Sequence, residues 1–218
     1  MELYFSPLAC SMVPRIVADE AAVPLVFREV ELYVKRFTAG GTDYLAEAPR
    51  GLVPVLVMDD GERLSEVSAI VQFLAERAPE RGLLGVGARD RYRVLEGLST
   101  AATEVHKRVL FVLGSATAPA EAKAHAREVA PRIFADLSRS IGVRPFYAGD
   151  AFTVADAYFA WAMVVARIFG LELAELEGYA ARLFAQPSVA RAIALETPLG
   201  QASWRRQRDA VGKVPWAR

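Results

Sequence analysis

Cysteine is almost missing from this 218-residue chain. Cys10 stands alone, so no intrachain disulfide can form and a disulfide-stapled secreted domain is excluded. Net charge is missing as well. The 26 basic and 26 acidic side chains cancel, which argues against a general nucleic-acid binder, because such a protein needs a basic excess to displace counterions. Long apolar runs are absent too. The strongest, AYFAWAMVVA at 157–166, lies between Asp156 and Arg167 and is too short for the ~30 Å of a bilayer core. It is expected to be a buried core helix, and no membrane association is expected. The opening MELYFSPLAC carries Glu2 and Pro7 but no Lys or Arg, unlike a signal peptide with its basic start and apolar run of ~7–15 residues. A cytoplasmic protein is expected. Dinucleotide and P-loop glycine patterns, metal-ligand clusters and a serine nucleophile elbow are all lacking, so no metal site is expected.

What is present describes a folded globular protein: 53% hydrophobic and 24% charged residues, enough apolar material to offset ordering entropy. The length allows one large domain or two small ones. Charge is uneven, with residues 1–80 carrying 7 basic and 13 acidic side chains and residues 81–218 carrying 19 and 13. Part of the second excess lies in Arg205, Arg206, Arg208, Lys213 and Arg218, expected to form a solvated basic tail.

Along the first part, ELYFS (2–6) and the alternating VFREVEL (26–32) read as strands. SMVPRIVADEAA from Ser11 reads as a helix that tolerates Pro14 in its first turn. Residues 34–51 are polar and broken by Gly40 and Gly41, so they read as loop with room for a short helix. Two apolar stretches around Asp60-Gly61 read as a hairpin, since both turn residues accept positive φ. VSAIVQFLAERA (67–78) is an amphipathic helix stopped by Pro79. The glycine-rich stretch that follows reads as a linker. Beyond it strand signal nearly vanishes. Helical periodicity covers 89–113, 120–141 with a break or kink expected at Pro131, 154–171, 174–186 and 188–196. The expected fold is therefore a small α/β domain (1–80), a linker (81–88), an all-helical domain (89–203) and a basic tail (204–218).

Several residues in this frame can carry chemistry. Cys10 falls between a strand and a helix start, where N–H donors and the helix dipole favour a thiolate; a small buried hydrophobe is the other reading. Val53-Pro54 precedes a strand, and a cis bond there would turn the Val53 backbone outward toward an extended peptide. The helix start at Ser65-Glu66-Val67-Ser68 suits a carboxylate through its N–H groups, while Glu66 attracts an ammonium group, so the two together suit an amino-acid zwitterion. The same residues also suit an ordinary cap. Ser99, Thr103, His106 and Leu110 form a narrow stripe beside the apolar face of their helix, as a cleft wall or a plain helix shoulder would. Thr153 and Asp156 read as a capping box serving stability.

Taken together and in order, S-P-L-A-C-S at 6–11, G-L-V-P-V-L at 51–56, L-S-E-V-S-A-I at 64–70, T-E-V-H-K at 103–107 and F-T-V-A-D-A at 152–157 resemble the bacterial beta-class glutathione transferases over roughly residues 1–200. The resemblance implies a thioredoxin-like N-terminal α/β domain, an all-helical C-terminal domain and a homodimer. It implies catalysis through Cys10, beside the glutathione sulfur and able to form a mixed disulfide with it, and through His106, approaching the same sulfur from the helical domain. Lys35 would neutralise the glycyl carboxylate, Val53 would pair with the cysteinyl unit, and Glu66 with the Val67 N–H would hold the γ-glutamyl end. Thr103 and Glu104 would reach the partner subunit's glutathione, with Ser99 standing where relatives carry Asn. The co-substrates implied are glutathione and a small hydrophobic electrophile.

Departures from the pattern are Val67 for a smaller residue, Phe5 for a tyrosine, the tail beyond about 203, and Gly97 for a bulky aromatic, which would enlarge a pocket beside it. Conjugation with added thiol–disulfide exchange or peroxidase activity is the implied function. The alternatives are a specialised dehalogenase or isomerase on the same scaffold, and a non-catalytic binding or regulatory protein.

Overall fold

The computed structural model describes residues 1–211, with side chains described through residue 206. The N-terminal part holds β1 (Glu2–Phe5), α1 (Met12–Glu20), β2 (Val26–Glu31), β3 (Arg36–Phe37), β4 (Val55–Val57), β5 (Arg63–Ser65) and α2 (Val67–Ala75). The sheet runs β3-β2-β1-β4-β5, with β1 parallel to β2 and the remaining neighbours antiparallel. Leu3 pairs with Phe27 on one side and Leu56 on the other. Because side chains alternate across a strand, Leu3 and Leu56 join the core under the helices. Their neighbours Tyr4 and Val55 join a smaller cluster with Phe37 and Tyr44.

That smaller cluster explains an element the alternation pattern does not reveal. β3 is only two residues long inside the segment read as loop, and Phe37 anchors it by edge-on contacts with Tyr4 at 5.1 Å and Tyr44 at 5.3 Å. The hairpin at Asp60-Gly61 forms, with the Met58 N–H bonded to the Glu62 carbonyl, but of the two turn residues only Gly61 takes a positive φ, 85°.

After a 3₁₀ turn at Pro79–Arg81, the helical part begins with α3 (Ala88–Thr100). It runs without interruption into a π-helical segment (Ala101–Leu110) and a last α-helical turn, α4 (Phe111–Gly114). Then come α5 (Ala120–Ile141), α6 (Val154–Ile168), α7 (Glu177–Phe184) and α8 (Pro187–Val211).

Pro131 does not break α5. Its ring removes one backbone bond, but Ala130, Ile133, Phe134 and Leu137 around it are buried, and that packing carries the helix across the gap. α6 is the buried centre expected from its apolar run. It starts on the Thr153–Asp156 capping box, whose carboxylate also accepts from the Tyr147 N–H and the Tyr179 hydroxyl. α8 is much longer than the 188–196 helix read from the sequence. Glu196 and Arg206 tie it to the first domain, Arg206 to Glu29 and Glu31 of β2, so residues 204–211 continue a helix rather than leave it. The side chains of Arg208 and of Lys213, Trp216 and Arg218 lie outside the described residues. Among those described, no helix is long and apolar enough to cross a membrane.

Gly97 opens no pocket. A Cβ placed there would meet Tyr147 at 2.7 Å and Ala155 at 2.8 Å. The space expected to be enlarged is filled by the Tyr147 ring.

Candidate functional site

A cavity of about 590 Å³ lies between the sheet domain and the helices. Cys10, Lys35, Val53, Glu66, Val67, Thr103 and His106 all line it, although the chain separates the first from the last by nearly a hundred positions. Ser99 and Glu104 do not line it. The Ser99 carbonyl accepts from the Thr103 hydroxyl at 3.0 Å, and Glu104 pairs with Arg108 at the surface.

Cys10 sits on the loop between β1 and α1. The Ser11 hydroxyl closes this loop by accepting from the Ser6 N–H and donating to the Ser6 carbonyl, both at 3.1 Å. Ser11, not Cys10, occupies the cap position of α1. The Cys10 thiol donates to the Val53 carbonyl at 3.4 Å. Burial pushes the thiol up to about 12; Lys107 and the Cys10 N–H oppose the rise and Glu66 adds to it. This corrects the expected low-pKa thiolate. Desolvation outweighs a dipole effect of ~0.3–1 kcal/mol, and a thiol that donates a hydrogen bond is held in its neutral form.

The Val53–Pro54 bond is cis, and the Val53 N–H has no hydrogen-bond partner among the described residues. Beside it, α2 begins at Val67 with Glu66 at φ 74° and no side chain capping the helix start. Ser68 lines the cavity next to Val67, which puts a hydroxyl near the place where Val67 lacks one. Arg50, which the sequence reading passed over, pairs with Glu66 at 2.9 Å and lines the same cavity. Lys35 donates from Nζ to the Gly51 carbonyl at 2.7 Å, and burial lowers its pKa.

From the opposite wall, His106 is 8% exposed. Its Nδ1 lies 2.8 Å from the Tyr158 hydroxyl, and its ring stands edge-on to Trp161 at 4.6 Å. Burial, with Lys107 adding, depresses the imidazole to about 4, so it is neutral at pH 7. Tyr158 is held protonated, by burial first and with the charge of Glu66 adding. Two neutral groups therefore share a hydrogen bond, and His106 faces the cavity as a dipole rather than a cation.

The π-helical turns surrounding His106 widen the helix locally, a feature that recurs at functional sites. Buried Val105, His106, Val109 and Leu110 sit on this segment. Leu110, grouped with the polar stripe on a 100° count, instead joins the apolar end of the cavity with Phe111, Val165 and Phe169. Tyr158 and Trp161 escaped the sequence reading because they sit inside the apolar run 157–166; a hydroxyl and an indole N–H in such a run were the only signal.

Residues 2–82 match the family model "Glutathione S-transferase, N-terminal domain". The chain is 34% identical over 200 residues to glutathione S-transferase GstA of Escherichia coli O157:H7, covering 90% of this chain and 98% of that protein. It superposes with a TM-score of 0.84 on the ternary complex of BphK, a bacterial GST, at 31% identity over 90% of this chain and 99% of the other. The TM-score is 0.82 against a sphingomonad glutathione S-transferase complexed with glutathione, at 36% identity over 90% of this chain and 98% of the other.

Proposed function

The chain belongs to the glutathione S-transferase family, and from that premise we propose that it conjugates glutathione to small apolar electrophiles inside the cavity at Cys10. One observation carries the reading. A single cavity joins an unpaired backbone N–H at Val53, an uncapped helix start beside Glu66, a thiol and an apolar far wall. A tripeptide with a zwitterionic γ-glutamyl head needs the first two, and an apolar co-substrate needs the last.

In this reading Val53 pairs with the cysteinyl backbone. The Val67 N–H receives the γ-glutamyl carboxylate, and Glu66 receives its ammonium in place of Arg50. Lys35 exchanges the Gly51 carbonyl for the glycyl carboxylate. The attacking sulfur is glutathione's own. Its bound thiolate accepts hydrogen bonds from donors already aimed into the cavity, the His106–Tyr158 pair among them, and the partly buried, protonated Cys10 has no charge to repel it. Residues 1–80 bind glutathione, 81–88 link, and 89–203 supply the electrophile wall. Ser99, Thr103 and Glu104, off the cavity or at its edge, reach the second site of a homodimer. The protein works in the cytoplasm.

Cys10 adds thiol–disulfide exchange. Its deprotonated sulfur attacks one sulfur of oxidised glutathione, the S–S bond breaks, and the departing glutathione thiolate takes up the proton, leaving one Cys10–glutathione disulfide. Retention on glutathione-agarose with elution by free glutathione, together with turnover of 1-chloro-2,4-dinitrobenzene, tests the main reading. Retention without turnover of any aryl halide, epoxide, hydroperoxide or mixed disulfide would leave a binding protein. For the exchange step, intact mass after incubation with oxidised glutathione should show one reducible adduct in wild type and none in Cys10→Ala.

A further inference from the structure

Glu196 has no exposed surface, lies on α8 outside the cavity lining, and spends its two carboxylate oxygens on different partners. One accepts from Arg15 Nε at 2.8 Å. The other accepts from the Leu8 N–H at 2.7 Å. A buried carboxylate is costly unless paired and hydrogen-bonded; here burial raises its pKa and Arg15 opposes the rise.

Leu8 is the unusual member of this group. It stands two residues before Cys10 at φ 63°, a left-handed backbone that a leucine adopts only under constraint. The local part of the constraint is the Ser6–Ala9 turn, with the Ala9 N–H bonded to the Ser6 carbonyl at 3.0 Å and Leu8 third of its four residues; the helical domain grips both backbone groups of Leu8 from outside. Glu196 takes the Leu8 N–H, Trp161 Nε1 donates to the Leu8 carbonyl at 3.0 Å, and Gly200, one turn beyond Glu196, leaves room for the Leu8 side chain where a Cβ would lie 2.6 Å from it. Within the first domain the loop is held at its ends by Ser6 and Ser11 and at Ala9 by backbone bonds to Ser6 and Met12, whereas the Leu8 N–H and carbonyl find their partners on the helical domain.

We infer that Glu196 is a positioning residue that fixes the turn at Leu8 and thereby holds the Cys10 thiol against the Val53 carbonyl. The geometric part stands without the glutathione reading; its effect on thiol–disulfide exchange rests on that reading.

The test is the rate at which iodoacetamide alkylates Cys10 in the folded protein, read by intact mass, which needs no glutathione. A hydrogen bond to a charged acceptor shifts a local opening equilibrium about tenfold or more, so Glu196→Ala should be alkylated about tenfold faster than wild type. Glu196→Gln keeps one acceptor for Leu8 and should fall within about threefold of wild type. Arg191→Ala, which cuts the separate α8–Asp19 contact, controls for loosening of the same helix and should not change the rate. Should Glu196→Ala fail to fold, Gly200→Ala presses on Leu8 with every charge intact and should accelerate alkylation in the same sense. A rate within about twofold of wild type in both Glu196→Ala and Gly200→Ala overturns the inference. So does Glu196→Gln matching Glu196→Ala, which would give the effect to Arg15 instead of Leu8. Accelerated alkylation with no glutathione retention would keep the positioning role and remove the glutathione reading.

Discussion

Cys10 and His106 meet in one cavity, and burial holds both in their neutral forms. With the thiol pushed up to about 12 by burial, the reactive fraction at neutral pH is small. Alkylation of the ligand-free protein should therefore rise about tenfold per pH unit from 7 to 9.5. A plateau by pH 8 would contradict the protonated thiol. For His106 the sign runs the other way. Its folded pKa of about 4 lies below the unfolded value of ~6.5, so between those limits the unfolded chain binds more protons. Stability contributed by the neutral ring is then complete above about pH 6.5 and is lost as pH falls toward 4. Wild type should lose about 2 kcal/mol more than His106→Gln between pH 7 and pH 5 in denaturant titrations. Equal losses would mean that the ring is solvated. At the other end of the cavity, Glu66→Ala should weaken glutathione retention while leaving the melting temperature nearly unchanged, because its contact with Arg50 is exposed and such pairs contribute ~0–1 kcal/mol. Undiminished retention would remove Glu66 from the binding role.

Among the elements, the α3–π–α4 rod and α6 together build the helical wall. Val94 and Leu98 pack inward from α3, and Gly97 lets the rod approach Tyr147 and Ala155. Gly97→Ala would raise helix propensity in isolation, yet here the added methyl enters filled space. The expected outcome is a loss of about 1–3 kcal/mol in unfolding free energy; a gain would show that the Tyr147 ring moves freely. The capping box at the start of α6 is a second fixed point. Its Asp156 carboxylate serves Thr153, Tyr147 and Tyr179 at once. Asp156→Ala would strand these buried donors at a cost of roughly 3 kcal/mol or more, and soluble yield should fall before any activity measurement is possible.

For the whole molecule, the long α8 is the tie between domains. It meets α1 through Arg15–Glu196 and Arg191–Asp19, and it meets β2 through Arg206. The two domains share one continuous apolar core from Leu3 to Val189, so thermal unfolding should be a single transition, and two resolved transitions in calorimetry would contradict that coupling. Association is the remaining question at this scale. Thr103 is exposed at the edge of the cavity and Glu104 lies outside it, which suits a second subunit there. Sedimentation at micromolar concentration should give twice the chain mass, and a monomer would take away the cross-subunit role of Ser99, Thr103 and Glu104.

How far the residues spoke for themselves follows from the range of each force. Alternation in VFREVEL, the Asp60-Gly61 turn, the Thr153–Asp156 cap and the apolar run of α6 are local, and each formed where the sequence put it. The order and type of these elements therefore followed from the sequence, and with them the two-part fold and the family resemblance. What it could not carry were outcomes set by distant partners. β3 exists because Phe37 finds Tyr4 and Tyr44, and α5 passes Pro131 because both flanks are buried. α8 outruns Pro198 while its side chains bind Arg15 and β2. The ionisation of Cys10 and His106 belongs to the same class. A helix dipole is legible in a linear order of residues, but desolvation depends on everything packed around a group. Only the folded cavity, which brings Tyr158 to His106 and Val53 to Cys10, decided that both are neutral.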